Sequence, residues 1–249
     1  MYYDEVIMIS PTLSTLIRIE HFSYQTGEQL RSWRGGTLKG LIGKLYAQNF
    51  LNRKKTSDGS DFEYTLSNHG RAFIDEHLDL LHKKPIEWDG YWTLIVFNIP
   101  ETKRSSRDRF RRYLQRIGAG NTLGTLWVSP YNFRQLITNY AKELGIDQNI
   151  IIMRSKGKPS LNSRIVSSSW NLDIIAKKYI EFVKESDKIL KTLSKNEIER
   201  SFELKTIIFT LTTIMMEDPR LPNILLPKNW PLKPTLDYYR AKIRSQLYN

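Results

Sequence analysis

"RGGTLKGLIGKLYAQNFLNRKKTSDGSDFEYTLS", residues 34–67, carries the pattern on which the fold reading turns. Paired glycines at 35 and 36 make a turn, and Thr37 is placed to cap the segment after it. Leu38, Leu41, Ile42, Leu45 and Leu51 then recur at helical spacing and predict an amphipathic helix. Beyond it, "NRKKTSDGSDFEYTLS" predicts a β-hairpin, with turn chemistry at "SDGS" and alternation of Phe62, Tyr64 and Leu66. Gly40 and Gly43 work against the helix, since each interior glycine costs about 1 kcal/mol of propensity.

Working outward, "SPTLSTLIRIEHF" places Leu13, Leu16, Ile17 and Ile19 on one helical face, and "TGEQLRSW" (26–33) predicts a short second helix. On the other side Ser67 is placed to cap "NHGRAFIDEHLDLLHKK". Helix, short helix, turn, longer helix and hairpin is the order of a winged helix-turn-helix. Residues 31–57 hold seven Lys or Arg and no acid. In such a unit Arg34, Thr37 and Lys39 at the helix start face base edges, while Lys44, Arg53, Lys54 and Lys55 meet phosphates. A solvated basic face on a protein-binding adaptor is the alternative for this module.

After "KKPIEWDG", the run "YWTLIVFNI" (91–99) predicts a strand stopped by Pro100. Ser105 or Ser106 then caps "RDRFRRYLQRIG", with Phe110, Tyr113, Leu114 and Ile117 inward and Gly118 as terminator. "GTLWVSPYN", "FRQLITNYAKELG" and "QNIIIMRSK" read as strand, helix and strand. This β-α-β-α-β order predicts a small ferredoxin-like sheet with helices on one face. "SKGKPSLNS" reads as a flexible polar link. Two long helices come next, over "WNLDIIAKKYIEFVKESDKILKTL" and "NEIERSFELKTIIFTLTTIMM". A proline-rich loop offers Leu221, Ile224, Leu225, Leu226 and Trp230 for burial, and "TLDYYRAKIRSQL" is a final amphipathic segment. The expected class is α+β: a winged helix-turn-helix at 1–85, a ferredoxin-like domain at 86–160 and a mostly helical domain at 161–249.

The 249 residues are 40% apolar, enough for substantial cores, and carry a net charge of +12 that suits a polyanionic partner. With no cysteine, disulfides, thiolate metal sites and a Cys nucleophile are excluded. "MYYDEVIMIS" does not read as a signal peptide, and "TIIFTLTTIMM" is too short for a membrane span, so a cytoplasmic protein is expected. His21, His69, His77 and His82 lack metal-ligand spacing, and "WRGGTLKG" lacks the Lys-Ser/Thr ending of a P-loop. No enzyme is expected, and no metal or other cofactor. A second basic stripe, residues 103–116, has seven Lys or Arg against Asp108 alone. Three readings stand for it: a solvated helix surface, a docking face for DNA or a neighbouring module, or a phosphate and effector grip through Arg104, Arg107 and Arg111.

"RLPNILLPKNWPLKPTLDYYRAKIRSQL" resembles the C-terminal signature of the PaaX transcriptional repressors, Leu-Pro-x-x-Leu-Leu-Pro-x-x-Trp before a last helix. "WNLDIIAKKYIEF", "VFNIPETKRSSRDRFRRYLQRIGAGNTLGTLWVSP" and "YTLSNHGR" are similar to further segments of that family. The resemblance implies a dimeric repressor on a double-stranded DNA operator. It also implies release by an acyl-CoA or aryl-CoA thioester, with a pocket between the central and C-terminal domains. The central domain is in turn similar to a small CRISPR-associated protein whose nuclease activity is attributed to an Asp at the end of its first strand. Asn98 stands there in this sequence, and a neutral amide is a poor ligand for Mg²⁺. A metal-dependent nuclease or RNA-binding protein built on this domain is the alternative reading, and Asn98 argues against it.

Overall fold

Leu51 lies opposite Leu66, and Arg53 opposite Tyr64, in the antiparallel hairpin that β2 (Leu51–Lys55) forms with β3 (Phe62–Leu66). The structure, a computed structural model, describes residues 11–34, 38–82, 86–122 and 124–247. These contain ten α-helices and two antiparallel sheets, an α+β architecture. The chain divides into two compact units. One combines Met1–Lys83, Lys178–Met216 and Pro231–Asn249, and the other combines Lys84–Lys177 and Glu217–Trp230.

The first unit begins with α1 (Pro11–His21), β1 (Gln25–Thr26), α2 (Gly27–Arg34) and α3 (Leu38–Ala47), then β2 and β3, then α4 (Asn68–Asp79). Its sheet has the order β1-β3-β2. The two-residue β1 has too little pattern to be seen in the sequence. It leads into a reciprocal cap: Thr26 Oγ1 accepts the Gln29 N–H at 3.1 Å, and Gln29 Oε1 accepts the Thr26 N–H at 2.8 Å. Asp61 Oδ2 accepts the Glu28 N–H at 2.7 Å and so ties the start of α2 to the hairpin. At the tip, Gly59 takes the positive φ (72°) that the turn requires. α3 stops at Ala47, so Leu51 belongs to the strand and not to the helical stripe. Ser67 caps α4 as expected, accepting the Gly70 N–H at 3.0 Å.

The same unit is completed by the later part of α8 (Leu172–Lys191), most of α9 (Glu197–Glu217) and α10 (Leu232–Tyr238). Phe209 of α9 is 3% exposed and shares one core with Leu13, Leu16, Ile17, Leu30, Leu45 and Ile74. Arg18 lies over the rings of Phe22 (4.7 Å) and Phe202 (5.4 Å), and burial lowers its pKa. Lys205 pairs with Glu20 at 2.8 Å. Beyond α10 the chain widens into a π-helical turn over Tyr239–Ile243 followed by a 3₁₀ turn, Arg244–Leu247, so this segment is not one regular helix.

In the second unit β4 (Tyr91–Phe97), α5 (Arg104–Arg116), β5 (Gly120–Thr122), β6 (Leu126–Ser129), α6 (Arg134–Glu143) and β7 (Ile150–Lys156) build a sheet of order β5-β6-β4-β7. This is the ferredoxin-like topology, with β5 as a fourth strand beyond those the sequence pattern reveals. Alternation decides the two faces. Ile95 and Trp127 join Phe110, Leu114, Ile137 and Ala141 under α5 and α6. Trp92 and Val128 face the other way, against Val166, Leu172, Leu221 and Leu225. That second face is covered by α7 (Pro159–Ser169), so the expected flexible link is a helix, with Pro159 in its first turn. Gly120 admits Trp170 so closely that an added Cβ would lie 2.5 Å from the ring. Of the loop residues offered for burial, Leu221 and Leu225 are buried whereas Ile224 is 78% exposed.

Candidate nucleic-acid interface

Four of the basic residues singled out in the sequence, Lys44, Arg53, Lys54 and Lys55, lie on α3 and the hairpin. Lys44 is exposed on the outer face of α3, alongside Gly40, Gly43 and Ala47. A Cβ added at Gly40 or Gly43 meets nothing among the described residues within 4 Å, so this face is both bare and open. Arg34, Thr37 and Lys39 cannot be positioned on it: Thr37 lies outside the described residues, as do the side chains of Arg34 and Lys39.

On β2, Arg53, Lys54 and Lys55 are all exposed, but the pleat divides them. Arg53 and Lys55 share the face of Leu51, and Lys54 lies opposite Glu63 on the other. The Arg53 guanidinium stands 4.3 Å from the Tyr46 ring of α3 and 4.9 Å from Phe62. Two aromatic faces thus hold one cation where helix and hairpin meet, leaving its N–H edge available for an anion. Two nearby acids are already engaged. Asp61 binds the start of α2. Asp58 accepts from Thr56 Oγ1 (2.5 Å), Ser60 N–H (3.1 Å) and Ser60 Oγ (2.7 Å). These bonds, the Thr56 hydroxyl foremost, lower its pKa to about 2.

The basic helix of the second unit is organised differently from the expectation. Lys103, not Ser105 or Ser106, precedes its first turn, and Ser106 Oγ donates to the Leu144 carbonyl (3.3 Å). Arg107 pairs with Glu101 at 2.7 Å, and Arg104 lies 3.6 Å from Glu101 and 3.9 Å from Asp108. The Arg107 hydrogen bond is the chief cause of the lowered Glu101 pKa. So two members of the Arg104, Arg107 and Arg111 set are held by carboxylates, and Arg111 alone of the three carries no ion pair among the described residues. Asn98 is exposed at the end of β4, and its N–H donates to the Asn149 carbonyl at 3.0 Å.

Among the described residues no group of three or more His, Asp or Glu is arranged to hold a metal ion. His77 is a core residue, 3% exposed, whose Nδ1 contacts the Phe73 carbonyl at 2.7 Å. His21 Nε2 lies 3.0 Å from the Ile198 carbonyl, and burial lowers its pKa. Among the described residues no helix is long and apolar enough to cross a membrane. Beside Tyr131 and Phe133 lies a shallow recess of about 230 Å³, also lined by Ile86, Glu87, Asp89, Pro130 and Asn132.

Residues 85–166 match the family model described as PaaX protein central Cas2-like domain, and residues 170–245 match that described as PaaX-like protein C-terminal domain. Among solved structures, the chain is similar to the uncharacterized protein Rv0674 from Mycobacterium tuberculosis. The identity is 14% and the TM-score 0.54, over 85% of this chain and 81% of that one, a likeness of fold. No curated protein matches the sequence.

Proposed function

This chain belongs to the PaaX-like family, and from that premise we propose that it is a transcriptional repressor that binds operator DNA. The family's domains are regulatory rather than catalytic. The observation that carries the reading is the order of the first unit. A strand precedes the second helix, pairs with the far strand of the hairpin and gives the sheet β1-β3-β2. That order supports reading the unit as a winged helix-turn-helix, in which the second helix of the pair enters the major groove and the hairpin lies along the backbone. Under this reading α3 is the recognition helix and β2–β3 the wing. Arg34, Thr37 and Lys39 then read bases, while Lys44, Arg53, Lys54 and Lys55 bind phosphates. The bare outer face of α3 supports it, because backbone without side chains can approach base edges closely. Two copies address a two-fold operator, and an acyl-CoA or aryl-CoA thioester releases them.

Fluorescence anisotropy with the DNA upstream of the protein's own gene tests this against scrambled DNA, over a salt series and with a panel of acyl-CoA esters. Preference for the upstream DNA, lost on adding one ester, is expected. Equal and weak binding to both duplexes would leave a basic protein without a repressor's selectivity.

A further inference from the structure

α5 presents six arginines in 13 residues, two of them held by carboxylates and four, Arg111 included, without an ion pair among the described residues. Arg104 and Arg107 are engaged by Glu101 and Asp108. Arg109, Arg112 and Arg116, spaced i, i+3 and i+7, are exposed on another face of the helix. Among the described residues none of these three has a carboxylate within ion-pair distance. At the edge of this face Tyr113 stacks on Tyr140 of α6, with ring centroids 4.2 Å apart and planes at 25°. Arg116 lies over Tyr113 at 5.5 Å. Glu143 is the acid whose charge is felt at Tyr113, and it opposes the effect of Arg116 there.

We infer that the Arg109–Arg112–Arg116 face is a second contact surface for duplex DNA, one that grips the phosphate backbone without reading bases. This rests on the repressor reading above, and it assigns the second unit a share of the binding. Three uncompensated guanidinium groups on one helix face are complementary to an array of anions, and each presents a planar fork that fits phosphate bidentately. Seven residues of helix span about 10.5 Å. Phosphates advance about 3.4 Å along the duplex axis per strand, so three successive phosphates, about 6.8 Å from first to last, fall within that length. The stacked tyrosine pair fixes the helix surface from which the arginines project, and Arg116 is held partly in place by its ring.

The test compares the full chain with R109Q/R112Q/R116Q, using the same upstream duplex across a salt series. Gln keeps helix propensity close to that of Arg and removes the charge. K184Q/K188Q/K191Q, exposed positions on α8, serves as a control with the same loss of net charge. Each phosphate contact contributes about 0.9 to the slope of log affinity against log salt, so losing three lowers it by about 2.7. Between about 50 and 200 mM salt, wild-type affinity should therefore fall some 40-fold more than that of the arginine variant. The lysine control should match the wild type. An arginine variant with the wild-type slope overturns the proposal. If R53A/K54A/K55A meanwhile loses slope, the repressor reading survives that result. A variant that keeps its DNA slope but no longer binds coenzyme A would also overturn it, in favour of a nucleotide-phosphate grip. A wild type whose DNA binding is weak and indifferent to sequence and salt sinks both readings together.

Discussion

Gly40→Ala and Gly43→Ala, made together in α3, should stabilise the protein. Glycine inside a helix costs about 1 kcal/mol relative to alanine because the unfolded chain has more freedom to lose. Any gain could be cancelled by a clash, but a methyl at either position meets nothing among the described residues within 4 Å. Gly43 lies well inside the helix and Gly40 in its first turn, so about 1 and about 0.5 kcal/mol are expected, respectively. In a chain of this size that shifts the unfolding midpoint by roughly 3–6 °C. Thermal or urea unfolding monitored by circular dichroism measures it. Gly70→Ala is the matched opposite: its Cβ would lie 2.3 Å from the Phe50 carbonyl oxygen, and backbone there must move. A loss of about 1–3 kcal/mol is expected from such overpacking. If the α3 double variant were less stable than the wild type, the outer face of α3 would have to be covered, and the reasoning would fail. The same variant also probes function. If α3 is the recognition helix, as proposed, two methyls on its outer face should erode preference for the operator while the folded protein gains stability.

Phe209→Ala should cost about 3–5 kcal/mol, the usual range for a buried aromatic, and should weaken DNA binding although the residue lies far along the chain from α3. Urea unfolding and anisotropy on the same preparation check both; a stability loss under about 1 kcal/mol would mean that α9 is not part of that core. Ser67→Ala removes the cap on the Gly70 N–H and the bond to the Asn49 carbonyl (2.5 Å), for about 1 kcal/mol by chemical denaturation. Asp58 titrates at about 2 in the folded protein, below the ordinary 3.8. Its contribution to hairpin stability is therefore complete above the unfolded carboxylate range and fades as pH falls towards 2. A carboxyl NMR titration should place its midpoint near 2. A midpoint at the ordinary aspartate value would mean that the Thr56 and Ser60 bonds do not persist in solution.

What the sequence makes legible is what a local period can encode. β4 and α5 are bounded by Pro100 and Gly118, and Gly118 does take the positive φ (82°) of a helix terminator. The hairpin and the Ser67 cap are equally local. β5 is hidden because Gly120–Thr122 is three residues without apolar alternation, and its place is set by the Trp170 ring packed against it. α7 is hidden because "PSLNSRIVSSS" offers only Leu161, Ile165 and Val166, too few for a stripe, and Leu161 is 47% exposed. At the candidate interface the residue types in 31–57 and 103–116 are plain from charge alone. Which arginines of α5 are free is not, since Glu101 selects Arg107 through the fold of the turn between them. The core partners of Phe209 lie more than 130 residues earlier in the chain, a pairing that no window of sequence contains.

That last pairing bears on how the protein is made. A ribosome completes residues 1–83 long before it reaches α9, so the nascent first unit emerges with the Phe209 side of its core unfilled. Its apolar surface must wait, guarded or exposed, while Lys84–Lys177, the larger part of the second unit, is synthesised. A frameshift or stop codon anywhere before residue 197 would yield a chain that lacks α9 altogether. Such alleles should behave as simple losses rather than as free DNA-binding fragments competing for the operator. Under the proposed function, regulation would thereby be tied to a finished protein.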